Sequence, residues 1–496
     1  MNYRAPLKDL LFVLEHLLHA SELARLARYG DYGAELAESI LLEAARFGEQ
    51  VLAPINALGD RTGATWSPTG VCMPGPFRQA YEQFVAAGWP QLTVDTAHGG
   101  QGVPLVLGAA AEEIWFGANL AFMLCPLLGR GAAEALEAVG SRELQQRFLP
   151  KLNAGTWAGT MNLTESQAGS DLSAIRTRAV LQSEGGHYLL YGQKIFITYG
   201  EHDMAENIVH LVLARIEGAP PGIKGISLFV VPKLLPRADA IAGGTADAAL
   251  EEPLVRRNDL RCVSIEHKLG IHASPTCVMT YGEERGAVGY LVGEPHHGLE
   301  YMFVMMNSAR LSVGVQGVGL AELALQQAGD WAHSRVQGRV LPGASAPAAA
   351  SDAHATIVEH PDVRRMLLTI KANVEAMRAL ALYTALQLDR ARAEPEAVQR
   401  AHALARGELL IPIVKGYCTE QANTLASLSI QIHGGVGFIE ETGAAQTLRD
   451  ARITSIYEGT TGIQANDLLG RKLARDRAAA MTAMIHDMLR ELDAVR

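Results

Sequence analysis

Cationic charge is scarce in this chain: 43 lysines and arginines stand against 53 aspartates and glutamates, a net charge of −10. Without a basic excess to neutralise phosphates, nucleic-acid binding is a poor first expectation. Cysteine is scarcer. Cys72, Cys125, Cys262, Cys277 and Cys418 are scattered and form no CxxC pair. They do not make a disulfide framework, and they read as reduced, mostly buried thiols of a cytoplasmic protein. Long apolar runs are also lacking. Lys8, Asp9, Glu15 and His16 interrupt the first apolar residues, so no signal-peptide core forms. The uncharged run 114–129 contains Asn119 and Pro126 and falls short of the ~18–20 residues that span a bilayer. It reads as a buried helix of a soluble protein with no membrane span. GxxxxGK[ST], HExxH and GxSxG are absent, and His296-His297 has no companion cluster, so no metal is expected.

What is present is ordinary globular composition, 48% apolar and 19% charged. Domains hold ~100–200 residues, so two to four units are expected. The first part reads as helical. Leu36, Ile40, Leu41, Ala44, Ala45, Phe47 and Leu52 fall near one face at helical spacing. Ser141-x-x-Leu144 opens another helix, and Pro150 closes it. Between them, Ala97-His98-Gly99-Gly100-Gln101-Gly102 has no strand-then-helix context and reads as a surface turn. Short β-type runs start near Thr156, at 177–182, 187–191, 208–214, 225–231 and 276–281. Gly and Pro turns separate them, as in a sheet or barrel. The Ala/Gly-rich stretch 237–256 reads as a surface insertion. From Gly298 helices return, at 301–327, 370–390 and 395–426, with a mobile Pro/Gly/Ala/Ser linker at 340–356. Met481, Met484, Ile485, Met488, Leu489 and Leu492 mark one face of an amphipathic tail helix, which packs on this chain or a partner. Strands do not alternate with helices, so a doubly wound α/β fold is not expected.

Several motifs have both a bland and a functional reading. Gly314-Val-Gln-Gly317-Val-Gly319 is GxxGxG inside a helical run, which points to close helix packing rather than a dinucleotide site. Leu163-Thr164-Glu165-Ser166-Gln167-Ala168-Gly169-Ser170-Asp171 offers hydroxyl and backbone N–H groups to a polar ligand edge, or makes a capped turn. In Gln193-Lys194-Ile195-Phe196-Ile197-Thr198-Tyr199-Gly200 an aromatic and a hydroxyl share one side of a strand, as a planar ligand needs. The bland reading there is a half-buried edge strand. Gln431-Ile-His433-Gly434-Gly435-Val436-Gly437-Phe438 is a further glycine cluster. In Ile453–Gln464 one carboxylate, Glu458, sits between an apolar run and a Gly/Thr turn. Burial would raise its pKa as a general base requires. Alternatively it is a first-turn Glu on a helix dipole.

In this order and at these separations, the motifs resemble the acyl-CoA dehydrogenase family. The matching segments are 164–171, 192–200, Lys268-Leu269-Gly270, Arg310 through Arg335-Val336-Gln337, and 431–464. The resemblance runs from the N-terminal helices to Leu473. Stretches 3–9, 268–277, 335–339 and 360–365 are similar to the 3-methylmercaptopropionyl-CoA dehydrogenase branch. The resemblance implies an α+β fold: an N-terminal helical domain (1–155), a middle β-barrel (156–297) and a C-terminal four-helix domain (298–496). The branch carries a further helical domain after this core, so a chain ending at Arg496 is expected to lack most of it.

The implied activity is α,β-dehydrogenation of an acyl-CoA thioester to the 2-enoyl-CoA, with FAD as acceptor and 3-methylmercaptopropionyl-CoA as a candidate substrate. By resemblance, Glu458 is the base that removes the α-proton. Met161, Leu163 and Thr164 line the flavin ring, Phe196 packs on it where Trp is usual, and Thr198 hydrogen-bonds near its N5. Ser170 touches the FAD phosphate or the substrate. Arg335 and Gln337 reach the FAD phosphates of a neighbouring subunit, Gln431, Gly434 and Gly435 its adenosine end, and Thr460 completes that pocket. Arg310 and Gly459 adjoin the substrate beside Glu458. A shared site implies a homodimer or homotetramer, and the implied electron acceptor is an electron-transfer flavoprotein. Three positions depart from the family pattern: Asn307 for Asp, Gly338 for Phe and Gly462 for Glu. Competing readings are a flavin-dependent acyl-CoA oxidase, a desulfinase-like enzyme and a catalytically silent flavoprotein. Glu458 argues against the desulfinase, and Glu458 with Thr198 and Arg310 against the silent protein.

Overall fold

The computed structural model describes residues 3–182, 186–235, 256–339 and 354–495. The expected insertion at 237–256, except Arg256, and the linker up to residue 353 lie outside them. Contacts divide the chain into two interleaved units. One comprises Met1–Ala57, Pro104–Leu120 and Arg310–Arg496, and the other Leu58–Val103 and Ala121–Ala309.

The second unit is built on an eight-stranded mixed sheet. Its strands are β1 (Trp157–Asn162), β2 (Arg178–Leu181), β3 (Tyr188–Thr198), β4 (Asn207–Ile216), β5 (Ile226–Pro232), β6 (Leu260–Ile265), β7 (Thr276–Tyr281) and β8 (Ala287–Val292). The order is β6-β7-β3-β8-β5-β4-β1, with β2 pairing β3 and β4. β1 and β2 run parallel to β4, and the other pairs are antiparallel. β4 and β5 are near-continuous apolar runs because both faces of the sheet are covered. Alternate side chains divide between two cores. Val209, Leu211 and Leu213 pack with Leu136, Phe148 and Leu152, whereas Val212 and Ala214 pack with Tyr188, Ile197 and Cys277.

The expected strands are all present, although the run at 187–191 is the start of an eleven-residue strand. β3 is an interior strand, with β7 and β8 among its partners, so the edge-strand reading fails. β1, β6 and β8 were not anticipated. Arg261 and Ser264 break the apolar signature of β6, and Gly159 and Gly289 that of β1 and β8.

The helical expectations hold with shifts. α1 (Ala34–Phe47) buries Leu41, Ala44, Ala45 and Phe47, but Leu36 is exposed. α2 (Leu105–Val139) has a fully buried apolar window despite a length and hydropathy sufficient for a membrane span. It kinks at Asn119, where φ is −161° and ψ 90°. α3 (Arg142–Asn153) is capped by Ser141, whose Oγ accepts the Leu144 N–H at 3.3 Å. Pro150 does not end it. The helix runs on to Asn153, although a proline withdraws one N–H from the ladder and crowds the carbonyl a turn before it. The glycine-rich segment at 97–102 is a largely exposed turn.

The first unit is organised by three long helices: α4 (Gly298–Ser334, from Arg310 on), α5 (Pro361–Ala393) and α6 (Ala397–His433). Shorter helices α7 (Ala444–Arg452), α8 (Thr461–Asn466) and α9 (Ala479–Val495) follow. The GxxGxG run is a packing device. A Cβ at Gly317 would lie 2.6 Å from the Cys418 carbonyl of α6, and one at Gly319 2.7 Å from the Glu113 carbonyl. Gly317→Ala is therefore expected to cost ~1–3 kcal/mol by overpacking two backbones. It should lower the melting temperature by several degrees, and an unchanged melt would contradict the close approach. Asp389 of α5 accepts the Leu105 and Val106 N–H groups at 2.7 and 2.8 Å, satisfying the N-terminus of α2. The apolar face of α9 is present. Met481 and Met484 are half-buried, but Ile485, Met488, Leu489 and Leu492 are exposed.

Candidate functional site

In the second unit, the loop after β1 and the end of β3 lie together: the Ile195 N–H donates to the Thr164 carbonyl at 2.9 Å. This ties Leu163 and Thr164 to the strand end that carries Phe196 and Thr198, with Met161 further back on β1. Leu163 is nearly buried, and Met161, Thr164 and Thr198 are half-buried. Phe196 is 58% exposed, an unusual position for a phenyl ring at the end of an interior strand. Its φ of +60° coincides with a register shift in the β3–β7 pairing, between Cys277 and Met279. This bulge turns the ring outward while Ile197 is buried. The hydroxyls of Thr164 and Thr198 have no partner among the described residues. An exposed ring flanked by two uncommitted hydroxyls is what a planar polar ligand needs. Ser170 is exposed further along the same loop, next to Asp171, whose carboxylate caps the following turn.

The loop is held from beneath by a pair that the sequence reading did not single out. Lys194 and Glu165 are both buried, with Nζ 2.9 Å from Oε1, and Nζ also donates to the Leu163 carbonyl at 2.9 Å. Thr177 Oγ1 donates to the same carboxylate at 2.6 Å, and the Arg176 and Thr177 N–H groups do so at 2.8 and 3.0 Å. Glu165 is thus a structural anchor and not a ligand-facing group.

In the first unit, Glu458 precedes α8 by three residues. Thr460 is the N-cap of that helix, its Oγ1 accepting the Ile463 N–H at 3.3 Å. Glu458 is therefore not a first-turn glutamate, and the dipole reading fails. Its backbone is left-handed, with φ +55°, and Gly459 follows at +89°. Oε2 is buried without a hydrogen-bond partner among the described residues. Burial pushes the carboxyl up to about 7, against the opposing charges of Arg310 and Lys415.

Arg310 lies beside Glu458. Its Nε lies 3.4 Å from the Glu458 carbonyl, and Nη1 pairs with Asp467 at 2.8 Å. Lys415 and Gln464 were missed. Lys415 Nζ donates to the Gly459 carbonyl at 2.6 Å. Gln464 Nε2 donates to the carbonyls of Glu458 and Gly459 at 3.2 and 3.0 Å. A single lysine in the apolar run Leu409-Leu-Ile-Pro-Ile-Val-Lys415 was the available signal, since a buried ammonium needs a reason.

The nucleotide-directed residues lie elsewhere in the first unit. Arg335 and Gln337 are exposed at a two-stranded hairpin of β9 (Val336–Arg339) and β10 (His354–Thr356). The Arg335 guanidinium lies over Trp331, whose ring stacks on His433 with centroids 5.5 Å apart. His433 ends α6, next to exposed Gln431, Gly434 and Gly435. Hairpin and glycine turn are thus joined through one stack. Gly338 has φ +77°, a conformation a phenylalanine would strain, and Gly462 has room for a side chain.

Three family models match in sequence order: the acyl-CoA dehydrogenase N-terminal domain at residues 35–156, the middle domain at 160–282 and the C-terminal domain at 296–473. The chain is 52% identical over 476 residues to the 3-methylmercaptopropionyl-CoA dehydrogenase of Ruegeria pomeroyi, covering 96% of this chain and 77% of that protein. It is 38% identical over 485 residues to a broad-specificity linear acyl-CoA dehydrogenase of Mycobacterium tuberculosis, covering 97% and 77%. An acyl-CoA dehydrogenase from Bacillus anthracis, solved in complex with FAD, shares the fold with a TM-score of 0.72 at 22% identity, over 91% of this chain and 70% of that one. The exposed Phe196 with its free threonine hydroxyls, and the unpartnered Glu458 carboxylate, fit a flavin and a C–H acid respectively. The chain belongs to the acyl-CoA dehydrogenase family, flavoprotein oxidoreductases that use FAD to dehydrogenate an acyl-CoA thioester.

Proposed function

We propose that the substrate is a short acyl-CoA of the 3-methylmercaptopropionyl type and that Glu458 is the base. The observation that carries the base is its setting: a buried, unpartnered carboxylate oxygen on a left-handed turn, with its pKa pushed up to about 7. The 52% identity to the Ruegeria enzyme supports the substrate.

The α-C–H of a thioester is a weak acid, so its removal needs a base whose pKa is near the working pH. Glu458 meets that requirement. Its own N–H has no acceptor among the described residues, so it is available to the enolate oxygen that develops as the proton leaves. A preorganised donor of this kind is typically worth ~3 kcal/mol. Bound FAD supplies the two-electron acceptor for the β-hydrogen. Met161, Leu163, Thr164, Phe196 and Thr198 would hold its ring, and Arg335, Gln337, Gln431, Gly434, Gly435 and Thr460 would hold the nucleotide end of the FAD of a neighbouring copy. The exposure of Arg335, Gln337 and Gln431 supports a site completed by a second copy, in a homodimer or homotetramer. An electron-transfer flavoprotein as acceptor and a cytoplasmic setting complete the reading.

The test is an anaerobic titration of the flavin-loaded protein with a panel of acyl-CoAs. 3-Methylmercaptopropionyl-CoA is expected to bleach the visible flavin band at the lowest concentration. Bleaching by longer acyl chains alone would overturn the substrate, and a band untouched by every thioester would overturn the reaction.

A further inference from the structure

We propose that Lys415 is a positioning residue for Glu458: it holds the left-handed turn that presents the carboxylate and supplies a fixed positive charge beside it. The inference rests on the reading of Glu458 as the base.

The turn is costly in itself. A left-handed φ at Glu458 brings Cβ against the following carbonyl, and such a conformation persists only where its surroundings over-determine it. Here the two carbonyls of the turn are held by three side chains. Gln464 reaches both, Arg310 approaches the Glu458 carbonyl, and Lys415 takes the Gly459 carbonyl in the shortest contact of the set, 2.6 Å. A neutral donor would suffice for that hydrogen bond. Lys415 instead brings an ammonium to a position with no solvent exposure on α6, and desolvating that charge requires compensation.

The surrounding charges show where its field goes. From α4, Arg310 is paired with Asp467, which Arg471 also contacts at 3.0 Å. From α7, Asp450 accepts from Gln446. Glu420, further along α6, is bonded to the Thr461 hydroxyl. Tyr457 donates to Gln316. Lys415 is in no ion pair among the described residues. Arg310 acts on Glu458 more strongly than Lys415 does but is itself paired with Asp467, whereas Lys415, which also feels Glu420, has no such partner among the described residues and adds its charge to the field at Glu458. The lysine pays for this: burial lowers its own pKa to about 8, with Glu458 pulling the other way. Between about 7 and about 8 both groups are charged.

The experiment is an infrared titration of the protonated-carboxyl band in the flavin-loaded protein, with Glu458→Gln identifying the band. In the wild type the band should disappear with a midpoint near 7. Lys415→Gln, which still donates a hydrogen bond, should move the midpoint up by ~1 pH unit. It should also lower kcat/KM at pH 7 by ~5-fold, the fall in the ionised fraction that a one-unit shift produces, with FAD retained. Lys415→Arg should bring the midpoint back. An unmoved midpoint in folded Lys415→Gln overturns the proposal. Lys415→Met serves if the glutamine variant does not fold. If neither neutral variant folds while Lys415→Arg does, the lysine is merely structural and the proposal also falls. If Glu458→Gln turns over normally while Lys415→Gln still shifts the band, the base assignment fails and the positioning role stands.

Discussion

Glu458→Gln is expected to abolish dehydrogenation, with kcat/KM falling by ~10⁴-fold, the upper range for a positioned general base, while the protein keeps its fold and FAD. Glutamine has the same shape and can occupy the same left-handed turn, but its amide does not accept the α-proton. In the wild type, kcat/KM should rise with pH to a plateau, with a midpoint near 7, because only the carboxylate acts. Stability provides an independent check. The folded pKa of about 7 lies above the ordinary 4.5, so the folded protein holds this proton more tightly than the unfolded chain. Below 4.5 both states are protonated and the group contributes nothing against folding. As pH rises through the interval from 4.5 to about 7, the unfolded chain ionises this carboxyl while the desolvated folded one keeps its proton, and stability is lost. Glu458→Gln removes that loss, so it should be more stable than the wild type at pH 8, by ~3 kcal/mol, and equally stable at pH 4. Unchanged turnover would sink the base. Equal melting at both pH values would show that the carboxyl is not desolvated.

The order of helices, strands and helices was legible because hydrophobic period changes sharply near Thr156 and Gly298, and period is a local property. Gly314, Gly317 and Gly319 could be assigned to close packing from spacing alone, though not the identity of the backbones they meet, since Cys418 is a hundred residues away. β1 and β8 were invisible because their glycines serve sheet packing rather than strand propensity. Pro150 misled as well: a proline withdraws one hydrogen bond and crowds the turn before it, yet the helix runs on to Asn153. At the site, Glu458 alone read as a helix-dipole residue. Only the company of Thr164, Thr198, Arg310 and the glycine clusters raised it to a base, and the structure then removed the dipole reading by placing the N-cap at Thr460. Lys415 and Gln464 escaped because their function is a contact with carbonyls. A carbonyl is present at every residue, so nothing in the sequence marks the one that will be held.

Glu165→Ala is expected to destabilise the second unit by ~3–5 kcal/mol, the cost of leaving one member of a buried ion pair alone. The pair is no surface bridge. Lys194 is fully buried and Glu165 is 5% exposed. Burial opposes the Glu165 carboxylate, yet the Lys194 charge and the hydrogen bonds from Lys194, Thr177 and Arg176 outweigh it and hold its pKa down to about 2. Burial lowers Lys194 to about 8, with Glu165 pulling back. Both are therefore charged from about 2 to about 8, and removing either strands the other. Because the folded pKa of Glu165 lies below its ordinary 4.5, this stabilisation is complete above 4.5 and disappears as pH falls through about 2. The alanine variant should accordingly lose most of its disadvantage in acid. Lys194→Met alone should be comparably harmful, whereas Glu165→Gln combined with Lys194→Met should recover much of the stability, since a buried pair replaced as a whole is often near neutral. Urea melts of the wild type, Glu165→Gln, Lys194→Met and the double variant, arranged as a double-mutant cycle, measure the coupling. Additive losses would mean that the two charges do not depend on each other. Strong coupling would place the anchor of the Thr164 loop in this pair. In that case the single variants should also bind FAD more weakly than the double, because Leu163 and Thr164 are held through Lys194 and its partner and not by the sheet alone.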